Sequence, residues 1–497
     1  MNQTLISVPE FLQASRHAGY RTPAHAVAEL VDNAIQAGAA SVSVTLTEAV
    51  DGLEVVVQDD GGGMSEAELR AALRFGGSSR FGDRSGLGRF GMGLPTSSLS
   101  QARRVEVYSW QGGRAPTMLT LDLDRFLSGA EALPEPRSEP LPVGSRPVGA
   151  SGTLVRWSRC DRLGGQRLSS LAGGLARSLG RTFRRFIWDG LKLLVNGSSC
   201  PAADPMLLDP RAPASGAIAF GDPIQLRLRT ALGVGDVAIS FSELPVQEWH
   251  QLTVAEKRRL GVTKGAGVSI LRAGREVDAG WFFMGDKRRE NYDDWWRCEV
   301  AFSPELDEAF GLTYTKQQIR PNPEVVEALT PEVSAVARAL NARVRRAHET
   351  VSARARFAPT ERRVAAVEGR MRPLPEVWAP KGPLAERLGR LWPEMLVPPA
   401  RPEVRIVEDD LGPAPLFEVL RVPNRLVVVW NTAHPFYKLA YAPLASSDEP
   451  GASERRTHLE LLIVALARAE AARPAASGEV EVHRGAWSAA LAELMKG

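Results

Sequence analysis

The sequence predicts an α+β protein in which helices cover one face of a mixed sheet, followed by a second α/β unit and a small third domain. Three observations lead there. Strand-like alternation and helix-like periodicity take turns along the first 190 residues. Strand-like runs return after a break at 196–224 where Gly, Pro, Ala and Asp dominate. Finally, the chain of 497 residues is 44% hydrophobic and 24% charged, long enough for two to four domains of roughly 100–200 residues each. It contains no apolar run of about 18 residues, so no membrane span is expected.

In order, the periodicity predicts a helix over 22–37, strands over 41–46 and 53–58, and a helix over 65–74. After a long glycine-rich stretch come strands near 104–109 and 118–123, and a Pro- and Gly-rich loop over 128–151. A strand over 152–158 and a helix from about 166 to 188 complete this part. The runs QLRLRT, VAISF, GVSILRAG and RCEVAF build the second unit, which a long helix rich in Ala and Arg closes. The expected domains are 1–195, 220–350, an arginine- and proline-rich linker over 351–404, and a C-terminal α/β domain over 405–497. The last holds the strands LFEVLRV and RLVVVWN and an amphipathic helix at 454–472.

The net charge is only +3 and by itself implies no nucleic-acid partner. From Pro331 to Pro373 there are ten arginines, no lysine and four glutamates. Such a patch can bind phosphate backbones, but a solvated helix face is the default reading. Cys160, Cys200 and Cys298 form neither a disulfide scaffold nor a zinc pattern, and are expected as reduced thiols. The N-terminus lacks the layout of a secretory signal, and a cytoplasmic location is the expectation. His434, in NTAHPFYKLAY, has no Cys, Ser or acid spaced to work with it and is read as part of a packed turn.

The helix AHAVAELVDNAIQAGAA carries two stripes. Val27, Leu30, Val31 and Ala34 form an apolar face, and Glu29, Asp32, Asn33 and Gln36 a polar one. Polar stripes usually face water. A carboxylate and an amide one turn apart also suit nucleotide chemistry: the amide oxygen is a hard ligand for Mg²⁺, and the carboxylate can orient and deprotonate a water. VVVQDDGGGM places two carboxylates at a strand end before three glycines, where a carboxylate can accept from an adenine amino group and the backbone can come close to the base. The regular spacing of a calcium loop is missing. GLGRFGMG, of GxxGxG form, leads into an expected helix start whose N–H groups suit phosphates. No βαβ spacing or ribose-binding acid makes it a dinucleotide fingerprint.

ELVDNAIQAGA, DDGGGM and GLGRFGMG, in that order, resemble the three ATP-binding boxes of the GHKL ATPases, and GTLVRWS (Gly152, Thr153) resembles the fourth. The resemblance covers roughly residues 1 to 190. It implies a Bergerat-fold α/β sandwich that binds ATP with Mg²⁺. Glu29 would be the general base, Asn33 the Mg²⁺ ligand and Asp59 the adenine reader. Gly61, Gly63 and Met64 would line the base beside Thr153, and Gly88, Gly91 and Gly93 would wrap the phosphates as a lid. Asp32 and Asp60 would support their neighbours. TYTKQQIRP resembles the transducer (S5-like) loop whose lysine reaches the γ-phosphate, making Lys316 the candidate sensor, and GVSILRAGREV resembles the transducer strand with an NGR-like turn.

AGAASVSV is similar to MutL, yet the MutL lid sequence GFRGEAL is absent, and RFGGSSR followed by GRFGMG is closer to the MORC pattern. The resemblance therefore implies a MORC-like ATPase that dimerises when ATP closes the lid and clamps DNA or a protein effector, with roles in repair, restriction or antiviral defence. The alternatives are a chaperone-like ATPase that clamps proteins, and a nucleotide-sensing module for a separate effector.

Overall fold

Thr22 and Pro23 begin the first informative helix. The Thr22 hydroxyl accepts the backbone N–H of His25 and Pro23 presets the first turn, so Val27, Leu30, Val31 and Ala34 fall on one buried face. The computed structural model describes residues 7–20, 22–77, 91–130, 132–163, 167–263, 265–312, 316, 318–375, 382–447, 449–473 and 479–495. They divide into two compact units, Met1–Val344 and Arg345–Gly497.

The first unit opens with α1 (Val8–Ala18), which lies outside every expected element, then α2 (Pro23–Gln36), β1 (Ser41–Ala49), β2 (Gly52–Asp59), α3 (Glu66–Leu73), α4 (Gly93–Leu99), β3 (Arg104–Trp110), β4 (Thr117–Asp122) and α5 (Leu123–Leu127). It continues with β5 (Arg137–Ser138), β6 (Gly152–Cys160), α6 (Leu168–Thr182), α7 (Arg184–Trp188), β7 (Lys192–Val195) and β8 (Ser198–Ser199). Eight strands make one sheet in the order β5-β4-β3-β6-β2-β1-β7-β8. It is mixed: β1 runs parallel to β7 and antiparallel to β2. Val42, Val44, Val55, Val57, Val105 and Val107 point from it into a core shared with the helices. The other face bears a small apolar cluster of Tyr108, Trp110, Met118 and Leu154. Beside it, Arg156 bridges Glu54 and Glu106 across strands, so among the described residues the helices pack on the opposite face. The helix expected over 166–188 breaks at Phe183, whose backbone (φ −105°, ψ 19°) leaves the helical region while Phe183 and Arg184 are buried.

A second sheet in the same unit comprises β9 (Ile218–Ala219), β10 (Ile224–Thr230), β11 (Gly233–Glu243), β12 (Val268–Arg272), β13 (Arg275–Gly280) and β14 (Trp296–Phe302). The order is β10-β11-β14-β12-β13, with β9 on β11. Two short helices, α8 (Val246–Trp249) and α9 (Val254–Arg259), fill the β11–β12 connection. Val325, Leu329, Val333, Ala337 and Leu340 of the long helix α10 (Pro323–Val367) share the core of this sheet.

The second unit is built on three strands, β15 (Glu403–Asp409), β16 (Phe417–Val422) and β17 (Arg425–Asn431), in the order β15-β17-β16. Its helices are α11 (Pro383–Leu391), α12 (Ala442–Ala445), α13 (Ala452–Ala471) and α14 (Glu479–Leu494). The linker expected over 351–404 is corrected here. Phe357 and Val364 of α10 and Leu388 of α11 are buried in the cores of this unit. Their sparse apolar spacing is hidden in the sequence by the arginines and prolines around them. Several arginines in 331–373 are ion-paired, among them Arg338 with Asp286, Arg343 with Glu243, Arg354 with Glu394 and Arg356 with Glu408. His434 accepts the Phe436 N–H at Nδ1 and sits against the Ser488 carbonyl, a packed turn. Among the described residues no helix is long and apolar enough to cross a membrane.

Candidate functional site

The polar stripe of α2 does not face water. Glu29 and Asp32 are 3% and 0% exposed, and a carboxylate is driven to such a place only with a partner. The partner comes from far along the chain. The Lys316 ammonium, itself 5% exposed, donates to Glu29 Oε2 and Asp32 Oδ2, each at 3.0 Å. The other oxygen of Asp32 accepts the Arg275 Nε at 2.8 Å. Tyr20 is buried beside this cluster, its phenol held well above its usual pKa by burial and by the charges of Glu29 and Asp32.

Beside α2, the end of β2 supplies Asp59 and the glycines. The Gly61 N–H donates to Asp59 Oδ1 at 2.9 Å. Burial pushes the Asp59 carboxyl up to about 6, against the lowering effect of the Gly61 and Thr153 N–H groups. Asp60 braces the backbone instead. One of its oxygens accepts the N–H groups of Ala40 and Ser41, both at 2.8 Å, and ties the start of β1 to the end of β2. Gly63, with φ +65°, admits no side chain, because an added Cβ would lie 2.1 Å from the Trp110 carbonyl oxygen. Ser109 accepts the Met64 N–H at 2.7 Å and lies 3.3 Å from the Thr153 hydroxyl.

These elements enclose a cavity of about 730 Å³ whose walls include Glu29, Asn33, Asp59, Gly63, Met64, Gly91, Gly93, Thr153 and Lys316. Leu30, Ala34, Val57 and Val155 give it an apolar side, as a heterocyclic base requires. Gly61 is not on the wall: its N–H braces Asp59, and a Cβ there would meet Ala37 Cβ at 2.9 Å. Gly88 lies outside the described residues, as does most of GLGRFGMG. Gly93 has a local reason to be glycine, since an added Cβ would lie 2.0 Å from Glu29 Oε1. Arg275 and Tyr20 were not singled out from the sequence. The signal for Arg275 was the two-residue turn of RAGREV, whose arginine directly follows it.

An α/β sandwich with a glycine-rimmed, half-apolar cavity and an acid–amide pair on its wall defines a nucleotide-binding domain. Residues 20–146 match the family described as histidine kinase-, DNA gyrase B-, and HSP90-like ATPase. The domain is a GHKL ATPase domain. Protein MICRORCHIDIA 6 of Arabidopsis thaliana is 41% identical to the chain over 106 residues, which is 20% of this chain and 16% of that protein. The DNA mismatch repair protein MutL of Rhodospirillum rubrum is 36% identical over 124 residues, 24% of this chain and 18% of its own length. MutL of Halobacterium salinarum is 48% identical over 65 residues, 13% of this chain and 10% of its own length. The chain thus spans less than a fifth of each of these relatives.

Proposed function

We propose that the chain is a Mg²⁺-dependent ATPase in which ATP binding closes the site and brings two copies together, a MORC-like clamp acting on DNA or on a defence or repair partner. One observation carries the reading: a lysine 287 residues from Glu29 in sequence places its ammonium 3.0 Å from that carboxylate, on the wall of the cavity. A buried cation at this position suits the terminal phosphate of a nucleotide.

In this reading Asp59 accepts the adenine amino group, with Thr153 and Met64 beside it. Asn33 offers a protein oxygen for Mg²⁺, which otherwise takes phosphate and water ligands. Among the described residues no group of three or more His, Cys, Asp or Glu side chains is placed to hold a metal. When bound, Mg²⁺ neutralises charge on the phosphates. Glu29 orients a water and takes its proton. Lys316 leaves Glu29 for the phosphate, which frees the base and gives closure a cause: ATP, not ADP, favours the closed state. Residues 218–344 then act as a transducer. The MutL relatives are named as DNA mismatch repair proteins, which supports DNA as the clamped partner. The test is phosphate release with ATP, with and without Mg²⁺, in wild type and Glu29→Gln, together with nucleotide binding by calorimetry. The reading requires Mg²⁺-dependent turnover that Glu29→Gln abolishes while binding persists. A wild type that binds no ATP would end it.

A further inference from the structure

We infer that Arg275 is a positioning residue: it holds Asp32 and the backbone of Lys316 so that the lysine ammonium stands against Glu29. Its consequence for turnover rests on the ATPase reading above, but the positioning itself does not.

Arg275 is 3% exposed and lies off the cavity wall, so it acts only through its neighbours. Its Nε donates to Asp32 Oδ1 at 2.8 Å, and its Nη1 donates to the carbonyl oxygens of Lys316 at 3.3 Å and Glu276 at 3.2 Å. The guanidinium lies 5.6 Å from the centre of the Phe183 ring. One planar group therefore fixes an acceptor of the Lys316 ammonium and, at the same time, the peptide that carries this lysine. The second bond matters because Lys316 has φ +48°. A residue with a Cβ adopts that conformation at a cost and keeps it only when its surroundings impose it.

The hairpin carrying Arg275 is itself immobilised. Ala273 and Gly274, with φ +48° and +82°, form the two-residue turn between β12 and β13, the geometry that matches strand twist. Glu276, next in the chain, accepts from Arg181 Nε and Arg184 Nη1, both at 2.6 Å. Glu299 accepts from Arg184 Nη2 at 2.7 Å and from Arg185. The hairpin is thus anchored on α6 and α7 by Glu276 and on α2 by Arg275. A lysine at 275 would keep a charge for Asp32, but it lacks the fork needed to hold two acceptors in fixed directions.

The test uses the full chain without nucleotide. Wild type, Arg275→Met and Arg275→Lys are treated with trace acetic anhydride, and acetylation of Lys316 is read by mass spectrometry against Lys287. Lys287 is 7% exposed and paired with Asp293 in the same unit, and it shares neither Asp32 nor Phe183 with Arg275, so it reports general loosening. Arg275→Met is expected to raise Lys316 labelling relative to Lys287 by about tenfold or more, the scale of one lost charge-assisted hydrogen bond. Arg275→Lys is expected to give a smaller rise. In the same preparations kcat for ATP is expected to fall about tenfold or more in Arg275→Met while KM stays within about threefold, since Arg275 does not border the cavity. Unchanged Lys316 labelling in both variants overturns the inference. So does a parallel rise of Lys316 and Lys287 in both, which would make Arg275 a purely structural anchor. A wild type that labels as expected but turns over no ATP removes the ATPase reading and leaves the positioning role standing.

Discussion

Both units of the chain bury carboxylates, and they do so to different ends. In the second unit Glu460 is 0% exposed. Tyr441 donates to it at 2.7 Å, Thr360 donates to its other oxygen, and Arg456 lies 3.2 Å away. Burial raises its pKa against the pull of these partners. The group is enclosed by its partners and lies among the buried side chains of a core, and its role is to hold α10, α13 and the Tyr441 turn together. In the first unit Glu29 and Asp32 are as deeply buried, but Glu29 borders a cavity, and its cation comes from Lys316, outside every strand and helix and at positive φ. Burial and pairing alone do not mark a site. Burial beside open volume, with acid and cation both on the cavity wall, sets the first cluster apart.

The sharpest way to break this contrast is to remove each acid. Glu29→Gln is expected to lower ATP turnover by about 10²–10⁴-fold, the usual cost of losing a general base, and to leave the urea midpoint nearly unchanged because Lys316 keeps Asp32. Glu460→Ala is expected to do the reverse. Turnover stays at the wild-type level, while the second unit loses about 3–5 kcal/mol in urea unfolding, the scale for breaking a buried charged network. Equal effects of the two variants on turnover would erase the distinction.

Next in size is the departing partner. Lys316→Ala is expected to bind ADP as wild type does, to hydrolyse ATP at least about tenfold more slowly, and to lose dimerisation with a non-hydrolysable ATP analogue in light scattering. Dimerisation equal to wild type would make Lys316 a static counter-ion, like Arg456.

Gly63→Ala tests the cavity wall. The methyl group meets the Trp110 carbonyl and the backbone is held at positive φ, so ATP affinity is expected to fall about tenfold or more with about 1–3 kcal/mol of strain. Gly76→Ala, also at positive φ but with no atom of the described residues within 4 Å of the added carbon, is expected to lose less affinity in the same titration.

The smallest effect is in pH. Asp59 is raised by burial to about 6 in the folded chain, above its unfolded value of roughly 3.9. Between those values the folded state binds more protons than the unfolded one. The stability linked to Asp59 is therefore greatest below about pH 4 and is lost as pH rises through 6. Adenine recognition runs the opposite way, since only the carboxylate accepts two donors freely. ATP affinity is expected to weaken as pH falls below 6, by about tenfold at pH 5, relative to Asp59→Asn, whose affinity lacks this component. Parallel pH profiles would remove Asp59 from base recognition.

Much of this was legible in the sequence, for reasons that differ by residue. The 3.6-residue spacing of Glu29 and Asn33 against Val27, Leu30 and Val31 placed them on one helix. The DDGGGM run placed Asp59 at a strand end, and Gly63 is a position where only glycine fits. Spacing did not reveal that the polar stripe is buried, because that depends on Lys316 and Arg275, more than 240 residues away. Lys316 was found through a motif, not through periodicity. Arg275 was missed because a hairpin arginine carries no local sign of what it touches. Gly93 is expected from the resemblance to wrap the phosphates, and the fold adds a second reason for glycine there, the Glu29 carboxylate beside it. The linker expectation fails because composition outweighs three sparse apolar residues, Phe357, Val364 and Leu388.

The long reach from Glu29 to Lys316 also bears on the birth of the protein. At synthesis rates of about 5–20 residues per second, the 287 residues between them take roughly 15–60 s to make. For that interval both buried acids lack the full set of cations that neutralises them, since Arg275 and Lys316 are each encoded more than 240 residues later. A chain still short of Lys316 has the carboxylate of Glu29 without the ammonium that stands 3.0 Å from it in the finished fold. The paired cluster is complete only once this lysine has left the ribosome, so a ribosome that stalls before it releases a fragment with an uncompensated acid on α2.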